Sequence, residues 1–223
     1  MAKKQQAQPA TAEQVVGKSE AFFEKNKRAI LIVIAALVIV IAGIYAYCTM
    51  VVAPTREKAA TALAKGQEYF ASGQWETALQ GDKMGYAGFL TLMKKYSGTP
   101  SANLAKLYAG LSYAQQGDAK NAIKYLEDFS AKGDHMISPA ALGALGNCYA
   151  QDGQIEKAIK TLKKAARKAS NNTLTPVYLI QAGQLLESVG KKEEAHALYE
   201  EVEQKYPNSP EAAEVEKLLQ RTA

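Results

Sequence analysis

The sequence predicts an all-α protein with one N-terminal transmembrane helix, an α-solenoid of about four helical repeats and a C-terminal capping helix. Three observations predict this fold class. Residues 29–53 form one apolar run, a pattern of small residues recurs about every 36 residues after it, and the C-terminal residues begin with a helix-start signal. We therefore divide the chain into a tail (1–28), a membrane segment (29–53) and a repeat domain (54–223).

The apolar run contains no Asp, Glu, Lys or Arg between Ala29 and Thr55. An α-helix rises 1.5 Å per residue, so about 20 residues cross a hydrocarbon core of about 30 Å, and the run is long enough. Tyr45 and Tyr47 would lie at its outer interface, and Pro54 is expected to end the span.

Three other interpretations of this run fit the sequence less well. A cleaved signal peptide has an apolar core of about 7–15 residues, which is much shorter than this run. A lipoprotein signal that ends at Cys48 would place the bulky Tyr47 beside the modified cysteine. A buried core helix would need an apolar shell on every side, which a polar-faced repeat domain does not readily supply.

Positive charge lies at the inner end of the run, on Lys25, Lys27 and Arg28. Residues 1–28 hold six basic and three acidic groups, a net charge of +3, whereas residues 53–223 hold 21 and 19, a net charge of +2. Basic residues that flank a span stay on the cytoplasmic side. We therefore expect the short polar tail in the cytoplasm and the repeat domain outside the cytoplasm. Residues 13–28 could form an extension of the membrane helix, which would leave a shorter tail. The nearly balanced charge of that domain does not indicate a nucleic-acid partner.

Four segments after the run share one spacing: a glycine, then an aromatic residue or Leu at +3, a second glycine at +7 and an alanine at +12. The first glycine and the alanine would let two antiparallel helices approach closely, and the second glycine would end the first helix. This spacing resembles the tetratricopeptide motif, whose period is 34 residues. The four sets are Gly66, Tyr69, Gly73, Ala78; Gly110, Tyr113, Gly117, Ala122; Gly146, Tyr149, Gly153, Ala158; and Gly183, Leu186, Gly190, Ala195. They predict repeats near residues 59–100, 103–135, 139–170 and 176–207.

The first repeat departs from this spacing. Aligning Tyr96 with Tyr206 places Phe89 opposite Tyr199, which implies a seven-residue insertion after Ala78. The extra stretch contains three glycines and is expected to interrupt the second helix of the repeat. A loop that projects from a solenoid is often functional, and a tolerated surface loop is the alternative. The candidate loop residues are Gly81, Asp82, Lys83, Met84, Gly85 and Tyr86.

A capping helix is expected over residues 209–221. Ser209 is a favourable N-cap residue, Pro210 suits the first helical position, and Glu211 would complement the helix dipole. The apolar residues that follow would cover the exposed end of the last repeat.

The first helix of each repeat is expected to line a groove. Its face is apolar and rich in amides, and it lacks the Lys and Arg residues that grip a chain-terminal carboxylate. We expect such a groove to hold a helix or an extended segment through apolar anchors and amide hydrogen bonds. By helical phase the candidates are Leu63, Gln67, Phe70, Leu107, Leu111, Gln115, Gly143, Asn147, Gln151, Ile180, Gln184 and Glu187.

The sequence contains no set of residues that indicates catalysis, a metal or a cofactor. His135 falls in a loop between repeats, and His196 is expected on a solvated helix face. Cys48 and Cys148 have no partner at metal-ligand spacing. A basic cluster is expected on a solvated helix face, with contact to an anionic membrane surface as the alternative; it comprises Lys160, Lys163, Lys164, Arg167 and Lys168.

A short tail, one membrane helix and an external repeat domain resemble the YfgM-type ancillary subunits of the Sec translocon. Three stretches are similar to tetratricopeptide proteins of bacteroidete-type bacteria: 78–82 (ALQGD), 88–90 (GFL) and 103–110 (NLAKLYAG). The resemblance covers about residues 25–223, and the seven-residue insertion departs from the enterobacterial members. It implies a bacterial inner-membrane protein that faces the periplasm, with translocon subunits, periplasmic chaperones or secreted clients as partners.

These observations predict a scaffold that is not an enzyme, needs no cofactor and contacts the bilayer through residues 29–53. The alternative is an envelope scaffold for another machine, such as cell division or outer-membrane protein assembly. A glycan-processing enzyme would need a carboxylate pair in the groove, and the sequence does not provide one there.

Overall fold

A computed structural model describes residues 12–131 and 133–222, with side chains described from residue 24 onward. Throughout this part of the chain the secondary structure is helical, without strands. The chain divides into two compact units, residues 1–54 and 55–223. The expected polar tail over residues 1–11 lies outside the described residues.

The first unit contains one long helix, α1 (Ala12–Tyr47), followed by a π-helical turn (Cys48–Val52). Within the described residues, the stretch Glu24–Ala71 holds the one candidate membrane span, with a mean hydropathy of 3.0 in its apolar window. None of the residues in this apolar window is buried, whereas most residues of a core helix in a soluble protein would be buried. The candidate span thus agrees with a membrane helix in length and composition.

Pro54 lies within helical backbone, as the second residue of α2 (Ala53–Ala71). The turn before Pro54 widens, because the Ala53 N–H donates to the Cys48 carbonyl, five residues back. A proline at the first turn of a helix removes only an N–H that the widened turn leaves unpaired, so the helix tolerates it.

The second unit is a stack of helix pairs. After α2 come α3 (Trp75–Gln80), α4 (Gly88–Lys95), α5 (Pro100–Gln115), α6 (Ala119–Asp128), α7 (Ile137–Gln151), α8 (Ile155–Ala169), α9 (Thr175–Ser188), α10 (Lys192–Lys205) and α11 (Ala212–Thr222). The first helices of the four repeats, called A helices here, are α2, α5, α7 and α9. The second, or B, helices are α3 with α4, then α6, α8 and α10. The A helices α5, α7 and α9 each pack on their own B helix and on the B helix before it, and Gly66 of α2 faces Phe89 of α4. This stacking gives the predicted solenoid.

The repeat glycines act as the spacing predicts. The second glycine of each repeat follows the A helix with a left-handed φ, at 72° for Gly73, 78° for Gly117 and Gly153, and 79° for Gly190. Glycine adopts this conformation without steric cost, so it ends an A helix and turns the chain into its B helix.

The first glycine of each repeat is the point of closest contact between the A and B helices. A Cβ atom on Gly66 would overlap Phe89, and the equivalent pairs are Gly110 with Leu126, Gly146 with Leu162, and Gly183 with Tyr199. Phe89 follows its glycine by 23 residues, whereas the other three partners follow theirs by 16. The difference of seven residues confirms the predicted insertion, which separates α3 from α4.

The C-terminal helix begins later than predicted, at Ala212. Ser209 accepts the Ala212 N–H with its backbone carbonyl in a turn, and its buried hydroxyl makes no hydrogen bond, so it is not an N-cap. Val215 and Leu218 of α11 join the apolar core of the last two repeats. His196 is not on a solvated face, because α11 packs over it and Thr222 Oγ1 lies 2.9 Å from its Nδ1.

Candidate protein-binding groove

A cavity of about 260 Å³ opens where the A helices of the first three repeats lie side by side. Three of the predicted candidates, Gln67 of α2 and Leu107 and Leu111 of α5, meet in its wall. Sequence reasoning missed the remaining lining residues, which lie along α5 and near the start of α7. The complete lining is Gln67, Leu104, Leu107, Tyr108, Leu111, Ile137, Ala140 and Ala141. We call this cavity the groove.

Tyr108 forms a wall of the groove whose position is fixed by neighbouring rings. Its ring stacks on Phe89, with centroids 5.7 Å apart, and meets the edge of Phe70 at 5.3 Å. The predicted candidate Phe70 therefore does not line the groove but supports the residue that does. Aromatic pairs at these separations add to the packing energy and hold both rings in place, so this wall is preformed.

Ile137 stands at the rim of the groove and remains 49% exposed, beside Met136 at 56%. Both lie at the start of α7, where no repeat motif marks a position. Large apolar side chains at the mouth of a cavity are typical of a site that another molecule covers. The signal that could have found them is the apolar pair directly before Ser138 and Pro139 in the sequence.

Three predicted groove residues belong to the core instead. Leu63 and Ile180 are 7% and 6% exposed and pack between helices, and Gly143 lies directly beneath the ring of Tyr178. Each of them is three residues before the first glycine of its repeat. The equivalent position in the second repeat, Leu107, is also 7% exposed but still touches the groove. Whether this position is open depends on the side chains of the next repeat.

Exposed amides continue the A-helix face beyond the groove. Asn147 and Gln184 follow the first glycine of their repeats, the position that Gln67 and Leu111 occupy in the groove wall. Gln115 and Gln151, also exposed, lie one turn further along their helices. Primary amides both donate and accept hydrogen bonds, so this face can pair with either group of a peptide backbone.

Glu187 is not free to bind a partner. Arg221 of α11 donates to both of its carboxylate oxygens at 2.8 Å, and the hydroxyl of Tyr199 donates to it at 2.5 Å. The bond from Arg221 holds the pKa of Glu187 below its ordinary value, with a smaller contribution from Tyr199. This predicted candidate therefore fastens the C-terminal helix.

The A helices α5, α7 and α9 carry almost no charge. Their charged residues are Lys106 and Glu187, and each is engaged inside the fold. Lys106 Nζ lies 2.8 Å from the carboxylate of Asp128, and Glu187 pairs with Arg221. The lining residues of the groove include no Lys or Arg, so they offer no ion pair to a terminal carboxylate.

The insertion forms an ordered loop around Asp82. The Asp82 carboxylate accepts the Met84 and Tyr86 backbone N–H groups at 2.8 and 2.9 Å and the Tyr69 hydroxyl at 2.5 Å. Tyr86 is buried, and its hydroxyl donates to the Ala78 carbonyl. Met84 at the tip is 87% exposed. The loop is thus held by its own hydrogen bonds and presents one apolar side chain.

Two glycines of this loop cannot be replaced by larger residues without strain. Gly81 and Gly88 have φ values of 98° and 82°, and a Cβ on either would meet backbone atoms of the other side of the loop. Gly85 and Lys83 are exposed at the tip. Local hydrogen bonding and these glycines fix the shape of the insertion independently of any partner.

The described residues hold no group of three or more His, Cys, Asp or Glu side chains that could bind a metal ion. Cys148 is buried, and burial raises the pKa of its thiol. The ring of His135 lies 3.1 Å from the Lys168 carbonyl in the loop between repeats. The flanking cations Lys25, Lys27 and Arg28 are exposed along α1.

Comparisons with known proteins agree with this architecture. The profile of the tetratricopeptide repeat-like domain family matches residues 20–220. Two crystal structures of a protein from Podosopora anserina, assigned as a kinesin light chain with nearly identical TPR-like repeats, are similar at a TM-score of 0.54. They are 16% identical to this chain and cover 75% of it and 85% or 86% of their own chains, a level of identity that shows the fold alone. No curated protein matches the chain.

Proposed function

Because the chain belongs to the tetratricopeptide repeat-like domain family, we propose that it is a membrane-anchored scaffold that binds segments of other proteins in the groove. Repeats of this family generally bind proteins and are typically non-catalytic. One observation carries the proposal: the A helices leave an open, uncharged cavity with a preformed aromatic wall. The side chains of the repeats leave this apolar cavity unfilled, so its surface is available to a binding partner.

The chemistry of the groove favours an extended, uncharged segment as its occupant. Leu104, Leu111 and Ile137 offer apolar contact to about one or two aliphatic side chains of the partner. An extended segment has unpaired backbone groups, which the exposed amides Asn147 and Gln184 can satisfy, whereas a helix already pairs its own. A charged side chain entering the cavity would lose hydration without gaining a partner.

The membrane part of the proposal is that residues 29–53 span a bacterial inner membrane. Lys25, Lys27 and Arg28 favour a cytoplasmic N-terminus by the positive-inside rule, which would place the repeats in the periplasm. Protease added to spheroplasts should then remove the repeat domain while the tail stays protected. Full protection of the repeats would refute this orientation.

The Sec translocon is the site of action that we propose for this scaffold. The basis is the resemblance in domain order to YfgM-type subunits, together with a groove suited to extended polypeptide, the form in which a secreted chain emerges. In this proposal the groove receives emerging chains or the chaperones that accompany them. The second candidate is a scaffold for another envelope machine, whose extended partners the same groove chemistry would also suit.

A crosslinking experiment tests both levels of the proposal. A photoreactive residue replaces Ile137 at the groove rim of the full chain, expressed in its native membrane, and Val189 serves as a matched control because it is 47% exposed outside the groove. We expect channel subunits, chaperones or arrested secretory chains to crosslink at Ile137 and not at Val189. Crosslinks to these proteins at both positions would refute the groove, and crosslinks at Ile137 to other envelope proteins only would favour the second candidate.

A further inference from the structure

Helix α8 carries an unusual concentration of positive charge. Its 15 residues include six basic groups and one acid, Glu156, a net charge of +5. The net charge of residues 53–223 is +2, so the rest of that region is net negative at −3. The six cations are Lys157, Lys160, Lys163, Lys164, Arg167 and Lys168, which we call the α8 stripe.

The α8 stripe lies on one side of the helix. At 100° per residue its six members fall within an arc of about 140° and extend over about 16 Å. The opposite side is filled by buried residues, among them Ala158, Leu162 and Ala165, which pack into the solenoid. The stripe therefore faces outward, away from the core, and none of the large exposed apolar side chains of the described residues lies within α8.

Little inside the fold neutralises this charge. Within the part of the chain that the structure describes, the one ion pair made by the stripe joins Lys163 to Glu194 at 4.0 Å. Lys160 and Lys164 instead stand one turn apart, and Lys164 has Lys168 one turn further on. Like charges at this spacing destabilise a helix, so the stripe carries a cost in stability that an anionic partner would remove.

A cavity of about 370 Å³ borders the C-terminal half of the stripe, between α8 and α10. Lys163 and Arg167 contribute to its wall, together with the hydroxyl-bearing residues Ser170 and Thr175. Its one acidic lining residue, Glu201, is held by Lys205 at 2.9 Å. The Thr175 hydroxyl already donates to the Ala166 carbonyl, so an acidic side chain that enters from outside would meet two cations and the Ser170 hydroxyl.

We propose that the α8 stripe is a second interaction surface, which binds an acidic segment of another polypeptide lying along α8. The acidic side chains of the neighbouring helix α10 make an anionic membrane surface a poorer partner for the stripe than a polypeptide segment. Helix α10 carries five acids and two lysines, and a bilayer plane broad enough to touch α8 would also approach those acids. A single polypeptide segment is narrow enough to follow the stripe alone. This surface is independent of the groove.

The test uses the full chain in nanodiscs of neutral lipid and a fluorescent peptide of alternating Glu and Ser. We expect binding that weakens about tenfold or more between about 0.05 M and about 0.5 M salt, because exposed charges are screened. The triple substitution Lys160→Glu, Lys164→Glu and Arg167→Glu should weaken binding by about tenfold or more. Replacing the same three residues by Gln tests the loss of charge without reversal and should give a smaller loss.

A matched control distinguishes the effect of the stripe on peptide binding from the effect of the net charge of the protein. The substitutions Lys94→Glu, Lys95→Glu and Lys124→Glu change the net charge equally at exposed positions elsewhere and should alter binding less than about twofold. Equal losses in the two triple variants would overturn the proposal. Binding of anionic phosphatidylglycerol vesicles without binding of the peptide would also overturn it. Crosslinking at Ile137 should be unchanged in either variant, so failure here leaves the groove unaffected.

Discussion

Phe89 packs directly against Gly66, although the insertion separates them by seven more residues than the equivalent pair in any other repeat. The contact repeats the one between Tyr199 and Gly183 at the other end of the solenoid. The extra residues form the loop between α3 and α4 rather than further helical turns, and this loop returns the chain so that Phe89 of α4 occupies the place that Tyr199 takes in α10. The insertion is therefore compatible with the repeat rather than a disruption of it.

The first prediction concerns this contact. Gly66→Ala should destabilise the repeat domain by about 1–3 kcal/mol, because the new Cβ overlaps buried rings that have no room to move. Denaturant unfolding of the full chain, followed by circular dichroism, measures the change. Ala60→Ser on the exposed side of the same helix is the control and should change stability by less than about 0.5 kcal/mol. Equal effects would mean that the contact is not tight.

The second prediction concerns the loop built on Asp82. Hydrogen bonds from Tyr69 first, and then from the Tyr86 backbone, hold the pKa of Asp82 below its ordinary value. Asp82→Ala should raise amide hydrogen exchange at Met84 and Tyr86 while leaving α5 to α10 protected. Because the pKa is lowered in the fold, the ionised carboxylate stabilises the loop above pH 3.8, and this is lost as pH falls below it. Lys83→Ala is the control, and similar exchange in both variants would contradict the role of Asp82.

The third prediction concerns the attachment of the C-terminal helix through Arg221 and Glu187. The lowered pKa of Glu187 means that this pair stabilises the fold above pH 4.5 and that its contribution is lost as pH falls through the folded pKa. Arg221→Ala should therefore lower the melting temperature at neutral pH, and the difference from the unchanged chain should shrink in acid. Lys217→Ala on the exposed side of α11 should show no such pH dependence. A constant difference at all pH values would indicate lost packing instead.

The fourth prediction distinguishes the groove from the α8 stripe by the salt dependence of peptide binding. Binding of an extended, uncharged apolar peptide to the groove should change less than about twofold between about 0.05 M and about 0.5 M salt, since no charge is involved. Leu111→Asp should weaken it about tenfold or more, because a carboxylate in the apolar wall has no partner. Val189→Asp is the matched control. Steep salt dependence would show that charged residues bind the peptide.

Much of the repeat architecture could be predicted because its signals are local. Gly73, Gly117, Gly153 and Gly190 end A helices through their own backbone conformation, which their neighbours in sequence do not alter. The start of α11 was predicted wrongly, because a residue type that favours an N-cap does not by itself determine which of its groups the chain uses. Ser209 has the right chemistry for an N-cap, but the turn around Pro210 uses its carbonyl rather than its hydroxyl.

The groove could be predicted only in part. Gln67 and Leu111 line it as expected, but Leu63 and Ile180, chosen by the same helical phase, are buried. Helical phase gives the direction of a side chain, and the neighbouring repeat determines whether that direction opens to solvent. Ile137, Leu104 and Ala140 belong to no motif, so only the stacking of α5 against α7 could reveal them.

The sequence by itself determined the apolar N-terminal helix, the helical repeats, the seven-residue insertion and the charge of α8, because each depends on residues close together along the chain. Tertiary structure alone decided which A-helix residues form the groove, and that Arg221 engages Glu187 across 34 residues. It also decided how Asp82 is enclosed by Tyr69 and Tyr86. The physical reason is that burial and long-range pairing depend on which surfaces meet when the repeats stack, and side chains at equivalent positions meet different neighbours in each repeat.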